Sequence, residues 1–407
     1  MRITVIGINY APEVTGIAPY TTGFAEGMAA AGHDVYVVTA PPHYPEWRIA
    51  AGYEKTSAAP TLINGVRVRR VKVRVPATPS PRGRVLLEAS FAQAAVRAPW
   101  QHPDLVVIVS PTLLSAAAAL ARARMMRVPC GVIVQDLYSR GVVETGALKG
   151  PLAGVAARFE GAVLGAANGV SVIHDRFVDN VVNLGVDRAK VGVVRNWTHI
   201  AQEANVGSSA DLRASYGWKP DEIIALHSGN MGVKQGLENV IEAAKLEGEI
   251  GNSADSVRFV LVGDGNQRRV LEEQALGVPN LDILEPLPED QFRSVLNAAD
   301  VLLVNEKPGV GEMAVPSKLT SYFISGKPVV AATDASSGAA HEIELSGGGV
   351  LVPPGDPAAL LRAVRTIGRD KATAERLGAR GRDFAVNTLS SATAVARYES
   401  WCRSLVA

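Results

Sequence analysis

Residues 225–244, ALHSGNMGVKQGLENVIEAA, decide the fold. They are typical of an apolar strand that ends in a glycine-containing loop and continues as an amphipathic helix. Gly229 and Gly232 allow the backbone to turn sharply and to approach a ligand closely. The N-terminus of the following helix suits an anion such as phosphate, and the flexible ammonium of Lys234 could reach the same anion. An ordinary strand-to-helix turn with one solvated lysine explains the stretch equally well.

The same alternation of strands and helices runs along the whole chain. A strand at 2–8, a helix at 20–31 and a strand at 34–39 open the first half. The pattern starts again with a strand at 223–227, and we interpret residues 196–209 as the crossing between the halves. This order indicates parallel sheets with right-handed crossovers. Since 407 residues exceed the size of one core, the sequence predicts an α/β protein with two doubly wound, Rossmann-like domains.

The remaining predicted elements follow the same hydrophobic periodicity. Further strands are predicted at 66–75, 105–109, 131–134, 169–173, 191–194, 258–262, 281–284, 301–304, 328–332 and 349–351. Further helices are predicted at 80–99, 113–126, 237–247, 266–276, 289–298, 316–325, 357–368 and 393–405.

Composition and cysteine content are those of an ordinary soluble α/β protein. Apolar residues make up 47% of the chain and charged residues 20%. Neither Cys130 nor Cys402 has neighbours that indicate a metal site or a redox pair. The N-terminal apolar run is too short for a signal peptide, and polar residues interrupt the longest apolar stretch, 105–121. We therefore expect a cytoplasmic protein without a transmembrane anchor.

Charge is spread unevenly along the chain. Residues 1–200 hold 21 Lys and Arg against 13 Asp and Glu, whereas residues 201–407 hold 20 against 27. The basic excess lies between residues 48 and 97, which favours an anionic partner such as an acidic membrane surface. A solvated strand and loop with scattered arginines is the alternative. Nucleic acid is not favoured, because aromatic residues make up only 5% of the chain and no recognition motif is present.

Two loops of the first half are candidates for ligand contact. Gly16 follows the first strand, where it could approach a ligand or be a plain loop glycine. The second loop, PPHYPEW at 41–47, carries His43, Tyr44 and Trp47, which could bind a sugar-like acceptor. A proline-stiffened surface loop explains it equally well. The first loop is not a dinucleotide fingerprint, since no GxGxxG follows the first strand.

Two further loops carry charged candidates. Asp136, at the end of an apolar strand, is the best-placed carboxylate of the first half for contact with a reacting centre, or else an N-cap. In the loop 306–318, Pro316, Ser317 and Lys318 form a second helix start that suits an anion, with a charged capping segment as the alternative.

The sequence does not predict a divalent metal site. No DxD, HExxH or CxxC motif and no histidine cluster is present. We interpret the four histidines without an evident partner as surface or structural residues: His33, His102, His199 and His341.

Taken together, these stretches resemble the retaining nucleotide-sugar glycosyltransferases of family 4, which have the GT-B fold. The resemblance is strongest to the exopolysaccharide branch that contains the colanic acid fucosyltransferase and the L-fucosamine transferases. The segments that carry it are GINYAPEVTGIAPYT (7–21), VTAPPHYPEW (38–47), VQDLYS (134–139), VRNWT (194–198), HSGNMGVKQGLENVIEAA (227–244), VGDG (262–265) and VPSKLTSYFISGKPVV (315–330).

The resemblance implies a fold, a division into domains and a role for each candidate. It implies two Rossmann-like domains facing a central cleft, an acceptor-side domain at 1–198, a donor-side domain at 199–389, and a terminal helix at 390–407 that packs back on the first domain. The implied catalytic residues are Asp136 and Lys234. The implied donor-binding residues are Gly16, Gly229, Asn230, Lys234, Glu285, Leu287, Glu312, Pro316, Ser317, Lys318, Leu319 and Ser321. The implied acceptor-binding residues are His43, Tyr44, Trp47 and Tyr138.

Three positions depart from the family pattern. Asn230 stands where most members have an arginine. The paired glutamates seven residues apart are missing, because the second would fall on Ser321 and the first on Met313, beside Glu312. Asp136 lies where many relatives have a histidine. The exopolysaccharide branch shares these changes.

The resemblance implies sugar transfer from a nucleoside-diphosphate donor to an acceptor hydroxyl with retention of configuration. Lys234, Lys318 and two helix N-termini would stabilise the departing diphosphate without a metal or other cofactor. The donor would be GDP-, UDP- or dTDP-linked, and the acceptor a glycan or lipid-linked saccharide at the inner face of the cell membrane. The alternatives are a nucleotide-sugar epimerase of the same fold and a non-catalytic membrane-surface subunit of a glycan assembly complex.

Overall fold

The structure is a computed structural model. It describes residues 1–14, 16–55, 59–77, 80–138, 151–197, 208–250, 256–309 and 318–407. The chain divides into two compact units. The first unit comprises residues 1–197 and 391–407, and the second comprises residues 198–390.

The first unit is built on an eight-stranded sheet. Its strands are β1 (Arg2–Ile6), β2 (Asp34–Thr39), β3 (Thr61–Ile63), β4 (Val66–Arg70), β5 (Leu105–Ser110), β6 (Cys130–Val134), β7 (Gly169–Val172) and β8 (Val191–Val193). They lie in the order β3-β4-β2-β1-β5-β6-β7-β8, and all pairs are parallel except β3 with β4. The chain switches direction across the sheet between β1 and β5, and ligands bind at such switch points in open α/β sheets.

The second unit is built on a six-stranded parallel sheet. Its strands are β9 (Ile223–Ser228), β10 (Val257–Val262), β11 (Leu281–Leu284), β12 (Val301–Asn305), β13 (Val329–Ala332) and β14 (Gly349–Val352). They lie in the order β11-β10-β9-β12-β13-β14, which is the strand order of a dinucleotide-binding Rossmann domain. The switch point lies between β9 and β12, so the loops that follow these two strands are neighbours.

Helices connect the strands of both sheets. They are α1 (Ala18–Ala30), α2 (Pro81–Arg97), α3 (Leu113–Met125), α4 (Pro151–Gly165), α5 (Asp175–Asn183), α6 (Ser209–Ser215), α7 (Glu238–Ile250), α8 (Arg268–Gln274), α9 (Glu289–Ala298), α10 (Lys318–Ser325), α11 (Gly338–Ser346), α12 (Pro357–Arg369), α13 (Lys371–Thr388) and α14 (Ser391–Val406). No described helix is long and apolar enough to cross a membrane.

The final helix, α14, belongs to the first unit and packs on α1 and on the central sheet strands. Tyr398 is buried there, and its ring contacts that of Phe24 with centroids 5.0 Å apart. A Cβ on Gly131 would lie 2.5 Å from the Trp401 ring, and one on Gly169 would lie 2.6 Å from Leu405. Glycine at these two strand positions therefore lets the helix approach the sheet.

The prediction of two doubly wound α/β domains is confirmed. Every predicted strand has a counterpart within a few residues, because fully buried parallel strands are near-continuous apolar runs. The predicted strand 66–75 was too long, since β4 ends at Arg70. Strand β3 and helices α4, α5, α6, α11 and α13 were not predicted.

Candidate functional site

The turn after β9 is closed by backbone contact with the turn after β10. Gly229 and Gly263 have φ angles of 107° and 142°, which favour glycine. The amide of Gly229 donates to the carbonyl of Val262 at 2.8 Å, and that of Met231 donates to Asp264 at 2.8 Å. A Cβ on Gly263 would lie 2.0 Å from the Gly229 oxygen. The VGDG stretch therefore supports the Gly229 turn.

A 3-10 turn separates this loop from the next helix. The turn, Val233–Gln235, ends at Gly236, and α7 begins only at Glu238. The predicted helix at 237–247 is confirmed, whereas the 3-10 turn before it was not predicted. The Oε1 atom of Gln235 accepts from the Gly232 amide at 3.1 Å and from the exposed side chain of Asn230 at 3.4 Å. The side-chain amide of Asn230 is thus tied to its own loop.

Asn305, at the end of β12, fixes this turn from the neighbouring strand. Its Nδ2 group donates to the carbonyls of Gln235 and Gly236 at 2.7 and 2.8 Å. Its Oδ1 atom accepts from Asn239 at 2.9 Å inside the protein. Sequence reasoning missed both asparagines, although an asparagine that ends a buried apolar strand is a usable signal.

Two lysines border the Gly229 turn. The side chain of Lys234 is exposed, and its carbonyl accepts from the amide of Lys307 at 2.8 Å. The Nζ atom of Lys318 lies 3.2 Å from Nε2 of the buried His227. A Cβ on Gly229 would lie 4.0 Å from that same Nζ atom. Lys318 therefore places its ammonium against the exposed glycine.

The environment alters the acid–base properties of this second lysine and its neighbour. Burial lowers the pKa of Lys318 to about 7, and the charge of Glu306 only partly opposes this effect. Burial, followed by the charge of Lys318, lowers the pKa of His227 well below its usual value. The imidazole is therefore neutral, and its Nε2 atom can accept from Lys318 whether that lysine is protonated or not.

The other predicted donor contacts lie near this turn or in the core beside it. Glu285 is exposed and pairs with Arg268 at 2.9 Å, while Arg268 also donates to the carbonyl of Gly263 at 2.5 Å. Leu287 is half-buried and packs on the core, as Leu319 does more completely. A ligand would therefore meet the backbone of Leu319 and not its side chain.

Helix α10 carries Ser321, which is half-buried. The predicted donor residues Glu312, Pro316 and Ser317 lie outside the described part of the chain.

In the first unit, Gly16 and the 41–47 loop come together. Gly16 has a φ angle of 64°, and a Cβ there would lie 3.3 Å from the ring of Tyr44. Tyr44 is 41% exposed and meets Trp47 edge-on, with centroids 6.3 Å apart. A pocket of about 350 Å³ lies here, lined by Pro12, Glu13, Val14, Pro42, His43, Tyr44, Pro45, Glu46, Arg48 and Ala50.

Glu13 organises this pocket, and sequence reasoning missed it. One carboxylate oxygen accepts from the amides of His43 and Tyr44 at 2.7 and 2.9 Å, and the other accepts from Asn9 at 2.8 Å. The His43 ring is buried and donates through Nδ1 to the carbonyl of Pro41 at 2.8 Å. His43 therefore shapes the loop, while Tyr44 presents the exposed ring. Trp47 is half-buried and packs beneath the guanidinium of Arg84 at 5.2 Å.

The end of β6 places Asp136 on the surface. Its Oδ1 atom accepts from the amide of Leu137 at 2.8 Å, so the carboxylate caps this turn while remaining exposed. Tyr138 is half-buried, and its amide donates to the buried Glu160 at 2.7 Å. Burial raises the pKa of Tyr138. Both interpretations of Asp136, a turn cap and a contact for a ligand, fit this geometry.

Rossmann-type units with a glycine turn after a strand are typical of nucleotide-binding proteins, and here Lys318 lies beside that turn. Residues 15–197 match the family model described as Glycosyl transferase 4-like domain, and residues 208–384 match Glycosyl transferases group 1. The glycosyl transferase WcaI of Escherichia coli strain K12, named for colanic acid biosynthesis, is 33% identical over 90% of this chain and 91% of its own length.

Solved structures share the fold across nearly the whole chain. Sucrose-phosphate synthase of Thermosynechococcus elongatus has a TM-score of 0.74 at 21% identity, covering 99% of this chain and 98% of that one. HepE of Anabaena in complex with UDP has a TM-score of 0.71 at 16% identity, covering 99% and 100%. The chain belongs to family 4 of the glycosyltransferases and has the GT-B fold.

Proposed function

We propose that this glycosyltransferase moves a sugar from a nucleoside-diphosphate donor to a hydroxyl of a glycan or lipid-linked saccharide, with retention of configuration, in exopolysaccharide synthesis. The Gly229 turn carries the proposal, because the Nζ atom of Lys318 lies beside the exposed Gly229 and the exposed Lys234 follows in the adjoining 3-10 turn. HepE, a fold neighbour, binds UDP, and WcaI is named for colanic acid biosynthesis.

In this proposal the second unit binds the donor. Negative charge develops on the diphosphate as the glycosidic bond breaks, and preorganised cations and N–H groups stabilise it. The ammonium groups of Lys234 and Lys318 supply this charge, so the nucleotide sugar is the only co-substrate and no cofactor is needed. Glu285 and Leu287 face the base through backbone groups, and Ser321 lies toward the ribose. The base is uridine, guanosine or thymidine.

The first unit binds the acceptor in this proposal. The exposed ring of Tyr44 and the half-buried ring of Trp47 suit the apolar face of a sugar. The exposed carboxylate of Asp136 orients the acceptor or stabilises positive charge at the anomeric carbon. The departing phosphate accepts the hydroxyl proton, so a protein base is not required.

A membrane-surface location fits a lipid-linked acceptor. Helix α2 exposes Val85 and Leu86, which are 45% and 58% accessible, beside the exposed Arg82 and Arg84. Apolar side chains flanked by arginines suit the interface of an anionic bilayer. The first unit would thus rest on the inner leaflet as a peripheral protein.

The test begins with a thermal-shift screen of UDP-, GDP- and dTDP-sugars, since a ligand that binds only the folded state raises Tm. The nucleotide sugar that binds is then incubated with the protein, with and without lipid-linked acceptor, and the released nucleoside diphosphate is measured. Release that depends on acceptor supports transfer. Conversion of the donor sugar without acceptor indicates an epimerase, and absence of both reactions indicates a non-catalytic subunit.

The variant Lys234→Ala tests the proposed role of Lys234 in stabilising the departing diphosphate. Loss of one such donor lowers turnover by about 100- to 1,000-fold. The control is Lys245→Ala, because Lys245 is exposed on α7 and pairs with Glu242 at 2.8 Å away from the turn. Near-normal turnover of Lys234→Ala would contradict its catalytic role.

A further inference from the structure

The pair His227–Lys318 has a fixed geometry beside the Gly229 turn. We propose that the Lys318 ammonium binds the donor diphosphate over Gly229, that His227 positions it, and that donor binding takes up a proton on Lys318. This inference rests on the proposed donor chemistry. To that chemistry the inference adds His227 as a positioning residue and a coupling between donor binding and protonation of Lys318.

Two contacts attach α10 to β9. Lys318 and Tyr322 lie four residues apart and therefore share one face of the helix. The Nζ atom of Lys318 lies 3.2 Å from Nε2 of His227. The hydroxyl of Tyr322 accepts from the amide of the next residue, Ser228, at 2.8 Å. Because both contacts fall on consecutive residues of one strand, the position of the ammonium is set by the sheet.

The place beside this ammonium is open to a ligand. Gly229 is exposed, and a Cβ there would lie 3.9 Å from Cε and 4.0 Å from Nζ of Lys318. His227 is fully buried behind the lysine. The imidazole therefore faces the ammonium from inside, and among the described residues Gly229 is its neighbour on the exposed side.

Among the described residues, the charged group that favours the ammonium comes from the next strand. Glu306, which follows β12, raises the pKa of Lys318, whereas burial lowers it to about 7. Burial raises the pKa of Glu306 as well, with a smaller contribution from the charge of Asp334 after β13. The Glu306 carboxylate also accepts from the hydroxyl of Thr333. Lys318 is therefore only partly charged near neutral pH.

A bound diphosphate changes this balance. Its negative charges favour the protonated lysine and raise its pKa in the complex. Above about pH 7 the free protein must first take up a proton, so the Kd for a nucleotide sugar rises by up to about tenfold per pH unit. Below that pH the lysine is already charged and the Kd is flat.

The experiment is calorimetric titration of the full chain with UDP-glucose and GDP-mannose between about pH 6 and pH 8.5. Both are diphosphate diesters without a group that titrates in this range. Titrations in two buffers of different ionisation enthalpy give the number of protons taken up. The expected result is proton uptake near pH 8 and a Kd that rises with pH above about 7.

Variants separate the roles of the two residues. Lys318→Met should weaken binding by about 10- to 100-fold near pH 6 and abolish proton uptake. His227→Gln keeps an acceptor near the position of Nε2 and should preserve the profile. His227→Leu removes this acceptor and should move the midpoint of the pH dependence of Kd to lower pH. Lys234→Ala should weaken binding at every pH while uptake persists, and Lys245→Ala should change neither.

Three outcomes would overturn the inference. The first is binding without proton uptake in the unaltered chain, a result that does not depend on whether any variant folds. The second is a normal profile in Lys318→Met. The third is an identical effect of His227→Gln and His227→Leu. Binding that lacks the pH dependence leaves the proposed function intact, whereas absence of binding by every nucleotide sugar contradicts both.

Discussion

Glu13 joins two loops that lie thirty residues apart in the first unit. Its carboxylate accepts from the amides of His43 and Tyr44 and from the side chain of Asn9. Arg70 lies close enough for the carboxylate charge to act on its pKa, although burial is the dominant effect and lowers that pKa. One side chain thus joins the Gly16 loop to the 41–47 loop, and the pocket between them depends on it.

Glu13→Ala should destabilise this pocket selectively. One buried and one partly buried amide lose their acceptor, which costs about 2 to 3 kcal/mol. Hydrogen exchange should show loss of protection at His43 and Tyr44, and KM for the acceptor should rise. The thermal shift caused by a nucleotide sugar should change little, because all but one of the proposed donor-binding residues lie in the second unit.

Glu46→Ala is the control for amide protection, since Glu46 is exposed on the same loop and accepts from neither of these amides. Unchanged protection of His43 and Tyr44 in Glu13→Ala would show that other contacts hold the loop.

Glu88 of helix α2 caps the N-terminus of helix α3. The N-cap residue of α3, Thr112, makes no side-chain capping bond. Glu88 of α2 accepts instead from the amide of Leu114 at 3.4 Å. Burial raises the pKa of Glu88 from 4.5 to about 7, so the carboxylate is held against the first turn of α3 at a cost in desolvation.

This arrangement predicts the direction of a pH effect on stability. The pKa of Glu88 is higher in the folded than in the unfolded protein, so its contribution is fully present below pH 4.5 and is lost as pH rises through about 7. Glu88→Gln cannot ionise. Relative to the unaltered chain, it should therefore gain up to about 3 kcal/mol in the free energy of unfolding between pH 5 and pH 8.

Urea unfolding of both chains at the two pH values measures this difference. Glu46→Gln is the matched control, because Glu46 is exposed, and it should follow the unaltered chain. If Glu88→Gln lost stability relative to the unaltered chain as pH rises, the assigned direction of the pKa shift would be wrong.

The two halves of the chain are both doubly wound α/β but differ in net charge. Residues 1–200 carry an excess of basic residues and residues 201–407 an excess of acidic ones. The exposed apolar residues of α2 lie in the basic half. Long-range attraction to an anionic surface would thus act on the first unit and not on the second.

The full chain should sediment with anionic phospholipid vesicles at low salt and be released as salt rises, since each basic residue near the surface contributes about 1 kcal/mol. Val85→Ser with Leu86→Ser should lower binding by about tenfold. The matched control is Val270→Ser with Leu276→Ser, which removes comparably exposed side chains from the second unit. Equal losses in the two double variants would contradict docking through α2.

The positions of the parallel strands could be predicted from the sequence, because buried parallel strands are apolar along their length, as in LVVIVS of β5. The sequence was insufficient for five helices, two of which, α4 and α13, have interior glycines. In α4 a Cβ on Gly161 would lie 2.0 Å from the Leu184 oxygen, and in α13 one on Gly378 would lie 1.9 Å from the Gly326 oxygen. These glycines are required by packing, although in a single sequence they indicate a helix end.

In the candidate site, too, local sequence patterns could be predicted whereas contacts between distant segments could not. The Gly229 turn and Lys234 are adjacent in sequence, so their pattern was predictable. The contact of Lys318 with His227 depends on which strands pair, and a carboxylate such as Glu13 in a loop is usually solvated. Side chains that act through distant backbone groups leave no periodic signal.

The packing of α14 has a consequence for how the protein is made. Residues 391–407 complete the core of a unit whose other part ends at residue 197. On the ribosome, the second unit emerges in full before this helix does. Until α14 is synthesised, the nascent first unit therefore exposes the apolar groove beside Phe24, Gly131 and Gly169 that α14 covers in the folded protein. An exposed apolar groove of this kind is a surface to which a chaperone would bind, and between crowded nascent chains it would favour exchange of α14.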